Sequence, residues 1–283
     1  MQNLSILITN DDGPASPFLL PLIGSIIEQP WCRELHVVIP DREQSWIAKA
    51  TSRFSTLIAR PHCFKTLTSK WSCDGHLVNG TPADCCSLGI NNLYSRRPNL
   101  VISGINMGTN AGTAFLLSSG TVGAAIEANL YKVKSIAFSA HLPPHIFQAW
   151  RERREDVLSE LHEEWKDIAS LCTQITSKLL ATDAWDYAML YSANIPWETN
   201  ADTKCKFTSV TPTFFQRLFV ETAPLEFEHS VRGLQSEDDG NPLGDVEVLS
   251  ANAISITPIK FDLTASLPEF FVKKFAQRPK EVL

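Results

Sequence analysis

Asp11 and Asp12 stand side by side in Thr9-Asn10-Asp11-Asp12-Gly13, directly after the short apolar run from Leu4 to Thr9. Adjacent carboxylates repel in a water-poor crevice unless a cation neutralises them, and the crevice beyond the carboxyl ends of parallel strands is where an α/β sheet receives its ligands. Carboxylate oxygens are hard donors, so Mg²⁺, Mn²⁺ or Ca²⁺ suits them better than a thiolate-preferring metal. Asn-Asp-Asp-Gly is also good turn chemistry, and the tetrapeptide alone leaves a plain turn open.

Three further groups follow apolar runs in the same way. Asn106, in Ser103-Gly104-Ile105-Asn106, offers a neutral amide oxygen to a cation or a donor to a phosphate oxygen. Ser119-Gly120-Thr121 opens a helix, where free backbone N–H groups and the helix dipole can hold an anion; an ordinary N-cap is the plainer reading. In the loop after the second strand, Ser45 could complete a metal shell and Arg42 could hold a phosphate oxygen. Each signal is modest alone. Their convergence on one edge of one sheet carries the argument.

The elements that must position these residues alternate through the first half. Apolar runs at Leu4–Thr9, Leu35–Ile39, Leu100–Ser103 and Ser135–Ser139 read as buried strands. Between them, Ser16-Pro17 opens a helix to Ile27, and Thr81-Pro82-Ala83-Asp84 opens another to about Tyr94 with a capping-box pattern. Thr121–Leu130 is a small-residue helix, and the segment GINMGTNAGTAFLLSSG before it reads as a long loop. Arg53–Ala59 and His76–Asn79 suggest a local hairpin. The charge run Arg151–Asp156 reads as a solvated helix face leading into an amphipathic stretch from Val157 to Leu179. Strand-like pieces follow at Met189–Ala193, Phe207–Thr211, Arg217–Thr222 and Ala253–Pro258, with Glu226–Gly244 read as a loop or exposed arm and a helix near Leu267–Phe275. The expectation is a doubly wound, mainly parallel α/β sheet in residues 1–185, continued by a β-rich extension and terminal helix in residues 186–283 of the same structural unit.

Composition narrows the partners. The 283 residues are 44% hydrophobic and 20% charged with a formal net charge of -6, which argues against a nucleic-acid polymer or an acidic membrane as partner. Seven scattered cysteines without a CxxC pair suggest neither a disulfide framework nor a zinc ribbon. No apolar stretch of membrane-spanning length is present and the first residues lack a signal-peptide pattern, so a soluble cytoplasmic protein is expected. A dinucleotide-binding dehydrogenase is excluded by the lack of GxGxxG after the first strand.

TNDDG, PDREQS, NGTPADC, SGINMGTN, SSGTVGAAIEA and the late SITPIKFDLTA, in this order, resemble the SurE (survival protein E) family over residues 6 to about 265. The resemblance implies a Rossmann-like core, a C-terminal extension used in forming a homodimer or homotetramer, and divalent-metal phosphatase activity on nucleoside 5′- and 3′-monophosphates. Carried over by position, it puts one Mg²⁺ or Mn²⁺ on Asp11, Asp12, Ser45 and Asn106, and phosphate on Asn110, Ser119, Gly120 and Thr121. Asp11, Asp12 and Asn106 are then the catalytic residues, with Asp11 accepting the proton of the attacking water. Two features depart from the family pattern. Trp46 stands where a small residue is usual, and the loop AGTAFLLS after Asn110 is one residue longer and lacks the acidic residue and tyrosine of bacterial members. Two rivals remain at this point: a phosphatase of the haloacid-dehalogenase type, which would want one residue between its two acids and a later lysine whereas here the acids are adjacent, and a binding protein that kept the site but lost turnover.

Overall fold

The computed structural model describes residues 3–65, 73–199, 203–236 and 240–275. Its strands are β1 Leu4–Thr9, β2 Cys32–Pro40, β3 Ala59–Phe64, β4 Cys73–Val78, β5 Leu100–Met107, β6 Lys134–His141, β7 Leu190–Pro196, β8 Cys205–Phe207, β9 Thr213–Ala223, β10 Glu226–Ser236 and β11 Ile254–Ile259. The helices are α1 Leu19–Ile27, α2 Pro82–Asn91, α3 Thr113–Ser118, α4 Gly120–Leu130, α5 Pro144–Arg151, α6 Glu155–Leu158, α7 His162–Leu180, α8 Asp245–Ser250 and α9 Glu269–Phe275.

Nine strands form one sheet in the order β3-β4-β2-β1-β5-β6-β7-β11-β8. The run from β4 to β7 is parallel, β3 is antiparallel to β4, and β11 is antiparallel to β7. Strand residues alternate between two apolar layers as a pleat requires. Leu4, Ile6, Ile8, Val37, Ile39, Leu100 and Ile102 pack with α1, α5 and α7 on one face. Leu7, Val38 and Val101 pack with α2 and α4 on the other. Every residue of β1 and of β7 is buried, which explains why β1 reads as a continuous apolar run rather than an alternating one. The main sheet therefore continues past residue 185 into β7, β11 and β8, while β9 and β10 form a separate antiparallel ribbon.

Local signals place the helices that matter. The Thr81 side chain accepts from Asp84 N while Asp84 accepts from Thr81 N, the reciprocal pair expected for α2. Ser119 caps α4, accepting from Val122 N at 3.0 Å.

Four expectations are corrected. The third core strand runs on to Met107 instead of ending at Ser103, through a register shift between Ser103 and Asn106 that lets Asn106 pair beside Ser139. The supposed loop after it contains α3, because Thr113–Ser118 docks on β9 and gains packing that local propensity does not reveal. Glu226–Gly244 is not a loop throughout: β10 occupies Glu226–Ser236, and a strand in a two-stranded ribbon open to solvent lacks the buried apolar face by which a strand is read. Finally, the amphipathic helix starts at His162, not Val157, and two shorter helices precede it. The local hairpin lies at β3 and β4, slightly beyond the segments expected for it, and residues 66–72 between them are outside the described set.

Candidate functional site

At the carboxyl ends of β1, β2, β5 and β6 the sheet opens into a cavity of about 800 Å³. Asp11, Asp12, Ser45, Asn106, Asn110 and Ser119 all line it, so four separate stretches of the sequence meet as expected. Gly120 and Thr121 lie behind this surface and Arg42 is exposed outside the lining.

The two aspartates are 4% and 5% exposed, and each is held by a backbone N–H from another part of the sheet edge. Thr121 donates to Asp11 twice, from its hydroxyl to Oδ1 at 2.5 Å and from its N–H to Oδ2 at 3.2 Å. Met107 N donates to Asp12 Oδ2 at 3.1 Å. Burial pushes both carboxyls above the ordinary range. For Asp12 the neighbouring Asp11 charge adds to this, and Glu43 raises both further. Among the described residues neither aspartate has a lysine, arginine or histidine partner.

Asn106 donates from Nδ2 to Gly108 O at 2.7 Å, an orientation that leaves its amide oxygen as the unclaimed acceptor. Ser45 donates to Glu43 Oε1 at 2.6 Å. The set therefore consists of hard oxygens, two of them carboxylates in a dry environment, and it fits a hard divalent cation. Among the described residues no group of three or more His, Cys, Asp or Glu side chains is placed to hold a metal ion. A cation here would draw on the neutral oxygens of Ser45 and Asn106, and on water, to fill its shell.

The α4 terminus departs from the anion hole that its sequence suggests. Thr121 N–H is spent on Asp11 and Val122 N–H on the Ser119 hydroxyl, which leaves Gly120 N–H and the Ser119 hydroxyl proton for a ligand. Close approach explains the glycines: a Cβ on Gly120 would lie 3.0 Å from Asp11 Cβ, and one on Gly123 only 2.3 Å from Ala48 O. Asn110 is likewise committed, donating from Nδ2 to Ser139 Oγ at 2.7 Å and from its N–H to Asn194 Oδ1 at 2.8 Å. The loop carrying Ser45 is pinned to the end of α3 by Ala48 N donating to Ser118 O at 3.0 Å, and to α4 by Lys49 Nζ at 2.5 Å from Glu127 Oε2.

A model of the family described as Survival protein SurE matches residues 6–217. The chain belongs to the SurE family. Relatives named "5′-nucleotidase SurE" include those of Methanocaldococcus jannaschii, 32% identical over 97% of this chain and 98% of the relative, and Natranaerobius thermophilus, 31% identical over 92% and 94%. That of Heliobacterium modesticaldum is 33% identical over 92% and 88%. The crystal structure of the SurE protein from Aquifex aeolicus superposes with a TM-score of 0.70 at 25% identity, covering 96% of this chain and all of that one.

Several residues facing this SurE-family pocket carried no sequence signal. Glu43 lies two positions from Ser45 in the same polar loop. Arg151, read only as part of a solvated charge run, is the one lysine or arginine lining the cavity among the described residues. Phe147 and Trp150 come from α5, Phe115 from α3, and His229 and Ser230 from β10. Their helical and strand spacings look like packing, and only tertiary structure brings them to the cavity.

Proposed function

We propose that this chain is a divalent-metal-dependent phosphomonoesterase that releases phosphate from nucleoside 5′-monophosphates, with 3′-monophosphates as further substrates. The single observation that carries the reading is the buried Asp11–Asp12 pair, without a cationic side chain among the described residues, at one end of a cavity large enough for a nucleotide. The printed names of its full-length relatives support the same substrate class.

In this reading Asp11, Asp12, Ser45 and Asn106 hold one Mg²⁺ or Mn²⁺, which when bound supplies Lewis acidity toward the phosphoryl oxygens and the attacking water. Thr121 and Met107 fix the two carboxylates before substrate arrives, so little reorganisation accompanies the reaction. Gly120 N–H and the Ser119 hydroxyl stabilise the equatorial oxygens, and Asp11 takes the proton of the attacking water. Both Asp11 oxygens already accept from Thr121, which supports water rather than carboxylate as the nucleophile. A trapping experiment is expected to yield no covalent phospho-enzyme, and recovering one would overturn this assignment.

Phosphate release from 5′-AMP, GMP, CMP and UMP, their 3′ isomers and an aryl phosphate, with Mg²⁺, Mn²⁺ or EDTA, tests the proposal. Metal-dependent release favouring nucleotides supports it, and silence across the panel overturns it in favour of a binding protein. Assembly is part of the same reading. Phe214, Phe219 and Phe227 on the ribbon, with Phe270 and Phe271 on α9, are large and exposed, and we assign them to a homodimer or homotetramer interface that light scattering would reveal. All seven cysteines are free, and no helix among the described residues is long and apolar enough to cross a membrane; the cytoplasm is the compartment we propose.

A further inference from the structure

Trp46 directly follows the proposed ligand Ser45 and lines the cavity. Its backbone φ is 59°, a left-handed conformation that a bulky side chain rarely adopts. Such an outlier in a ligand cavity directs attention to what its side chain does there. The indole is packed by rings from three other elements: His229 of β10 at 4.6 Å between centroids, Phe215 of β9 at 5.4 Å and Phe115 of α3 at 5.8 Å. Phe115 and Phe215 also meet edge-on at 5.5 Å, so the cluster supports itself. Even so, Trp46 remains 38% exposed, and Phe115 and His229 line the cavity beside it. A buried core tryptophan would not be left this open, and a solvated one would not be held by three rings.

We infer that Trp46, supported by Phe115 and His229, is the stacking surface for an aromatic group carried by the phosphate ester, and that it selects nucleotides over aliphatic phosphate esters. The inference rests on the phosphomonoesterase reading for its kinetics, though the stacking itself can be detected without turnover. Every base offers a π-face, so this surface recognises the presence of a base more than its identity. Its position next to Ser45 places recognition of the organic group beside the proposed metal ligands. His229 belongs to the C-terminal ribbon, which thereby builds part of the specificity wall.

The test compares wild type, Trp46→Ala and Trp46→Phe as full chains with Mn²⁺, using 5′-AMP and glycerol 2-phosphate. For Trp46→Ala the ratio of kcat/KM on 5′-AMP to that on glycerol 2-phosphate falls about 10-fold or more, chiefly through KM for 5′-AMP. Trp46→Phe, which keeps an aromatic face, restores most of the ratio. A ratio that stays within about twofold in Trp46→Ala would make the indole a prop for the loop and overturn the inference. Quenching of tryptophan fluorescence by 5′-AMP in EDTA provides a second readout. If wild type hydrolyses neither ester, quenching that is lost in Trp46→Phe upholds stacking while the phosphatase reading fails; quenching unchanged by the substitution, or none in wild type, overturns stacking itself.

Discussion

Thr121 grips Asp11 with two donors, hydroxyl to Oδ1 at 2.5 Å and N–H to Oδ2 at 3.2 Å, across 110 residues of sequence. The first turn of α4 therefore orients a carboxylate that the β1 loop delivers. Removing the hydroxyl leaves the N–H contact but frees the ring of acceptor positions around Oδ1. Thr121→Val is expected to lower metal affinity or kcat by about 10- to 100-fold, the usual range for a residue that orients a ligand, whereas Thr121→Ser stays near wild type. Mn²⁺ titrations of phosphate release measure both variants, and equal activity of Thr121→Val and wild type would contradict the orienting role.

Asp12 illustrates the cost of the site when no cation is bound. Its carboxylate is 5% exposed beside Asp11, and replacing it by isosteric asparagine removes charge repulsion while keeping an acceptor for Met107 N. Asp12→Asn is expected to lose activity by more than the ~10²–10³ typical of one lost hydrogen-bond donor. The same variant in EDTA should melt about 2–4 °C higher than wild type, the shift that ~1 kcal/mol produces in a domain of about this size. Wild type should gain stability on adding Mn²⁺ and the variant should not. A variant that keeps metal-dependent activity, or that melts lower in EDTA, would remove Asp12 from the proposed ligand set.

What the sequence made legible followed from burial. Strands β1, β5 and β6 and the Val37–Pro40 end of β2 are covered on both faces, so their residues are mostly apolar, and the polar groups beyond them stood out by contrast. Asp11, Asp12, Ser45, Asn106 and Ser119 were visible for that reason. Thr121 was placed in the right helix turn but given the wrong partner, because a free N–H in a sequence cannot show that a carboxylate from another loop will claim it. Phe147, Trp150 and His229 were illegible for the opposite reason. Their elements have one exposed side, and an aromatic residue facing a cavity has the same spacing as one facing the core. In the ribbon, Arg217–Thr222 was legible as part of β9, whereas β10 fell in a segment read as a loop or arm because it covers no core.

Arg42 and Arg151 exchange places between expectation and structure. Arg42 was expected at the phosphate but is exposed outside the lining, whereas Arg151, the last residue of α5, faces the cavity. A dianionic substrate entering a pocket that contains Asp11, Asp12 and Glu43 gains most from the cation that shares the space. Arg151→Ala is expected to raise KM for 5′-AMP about three- to tenfold at low ionic strength, with a smaller effect at high salt because the side chain is exposed and screened. Arg42→Ala should change KM less than twofold. Steady-state kinetics at two salt concentrations separate them, and a larger effect at Arg42 would return the phosphate-binding role to it.

Asp245 fastens the C-terminal segment to the loop behind Asn110. Its Oδ1 accepts from Thr211 N at 2.9 Å and Val246 N at 2.9 Å, and its Oδ2 accepts from Gly112 N at 3.0 Å. Asp245→Ala strands these N–H groups in a site only 1% exposed and should cost about 3 kcal/mol or more. Burial pushes the Asp245 carboxyl above its ordinary 3.8 even though those N–H groups pull it down. An acid raised by folding binds its proton more tightly in the folded chain than in the unfolded one. Its contribution is therefore full below pH 3.8 and is lost as pH rises through the folded value. Asparagine does not titrate, so the unfolding free energy of wild type minus that of Asp245→Asn should decline as pH rises from 3.8 and then level off. Urea unfolding of both proteins across that interval measures the difference, and a difference that grows with pH would show that the three N–H donors outweigh burial.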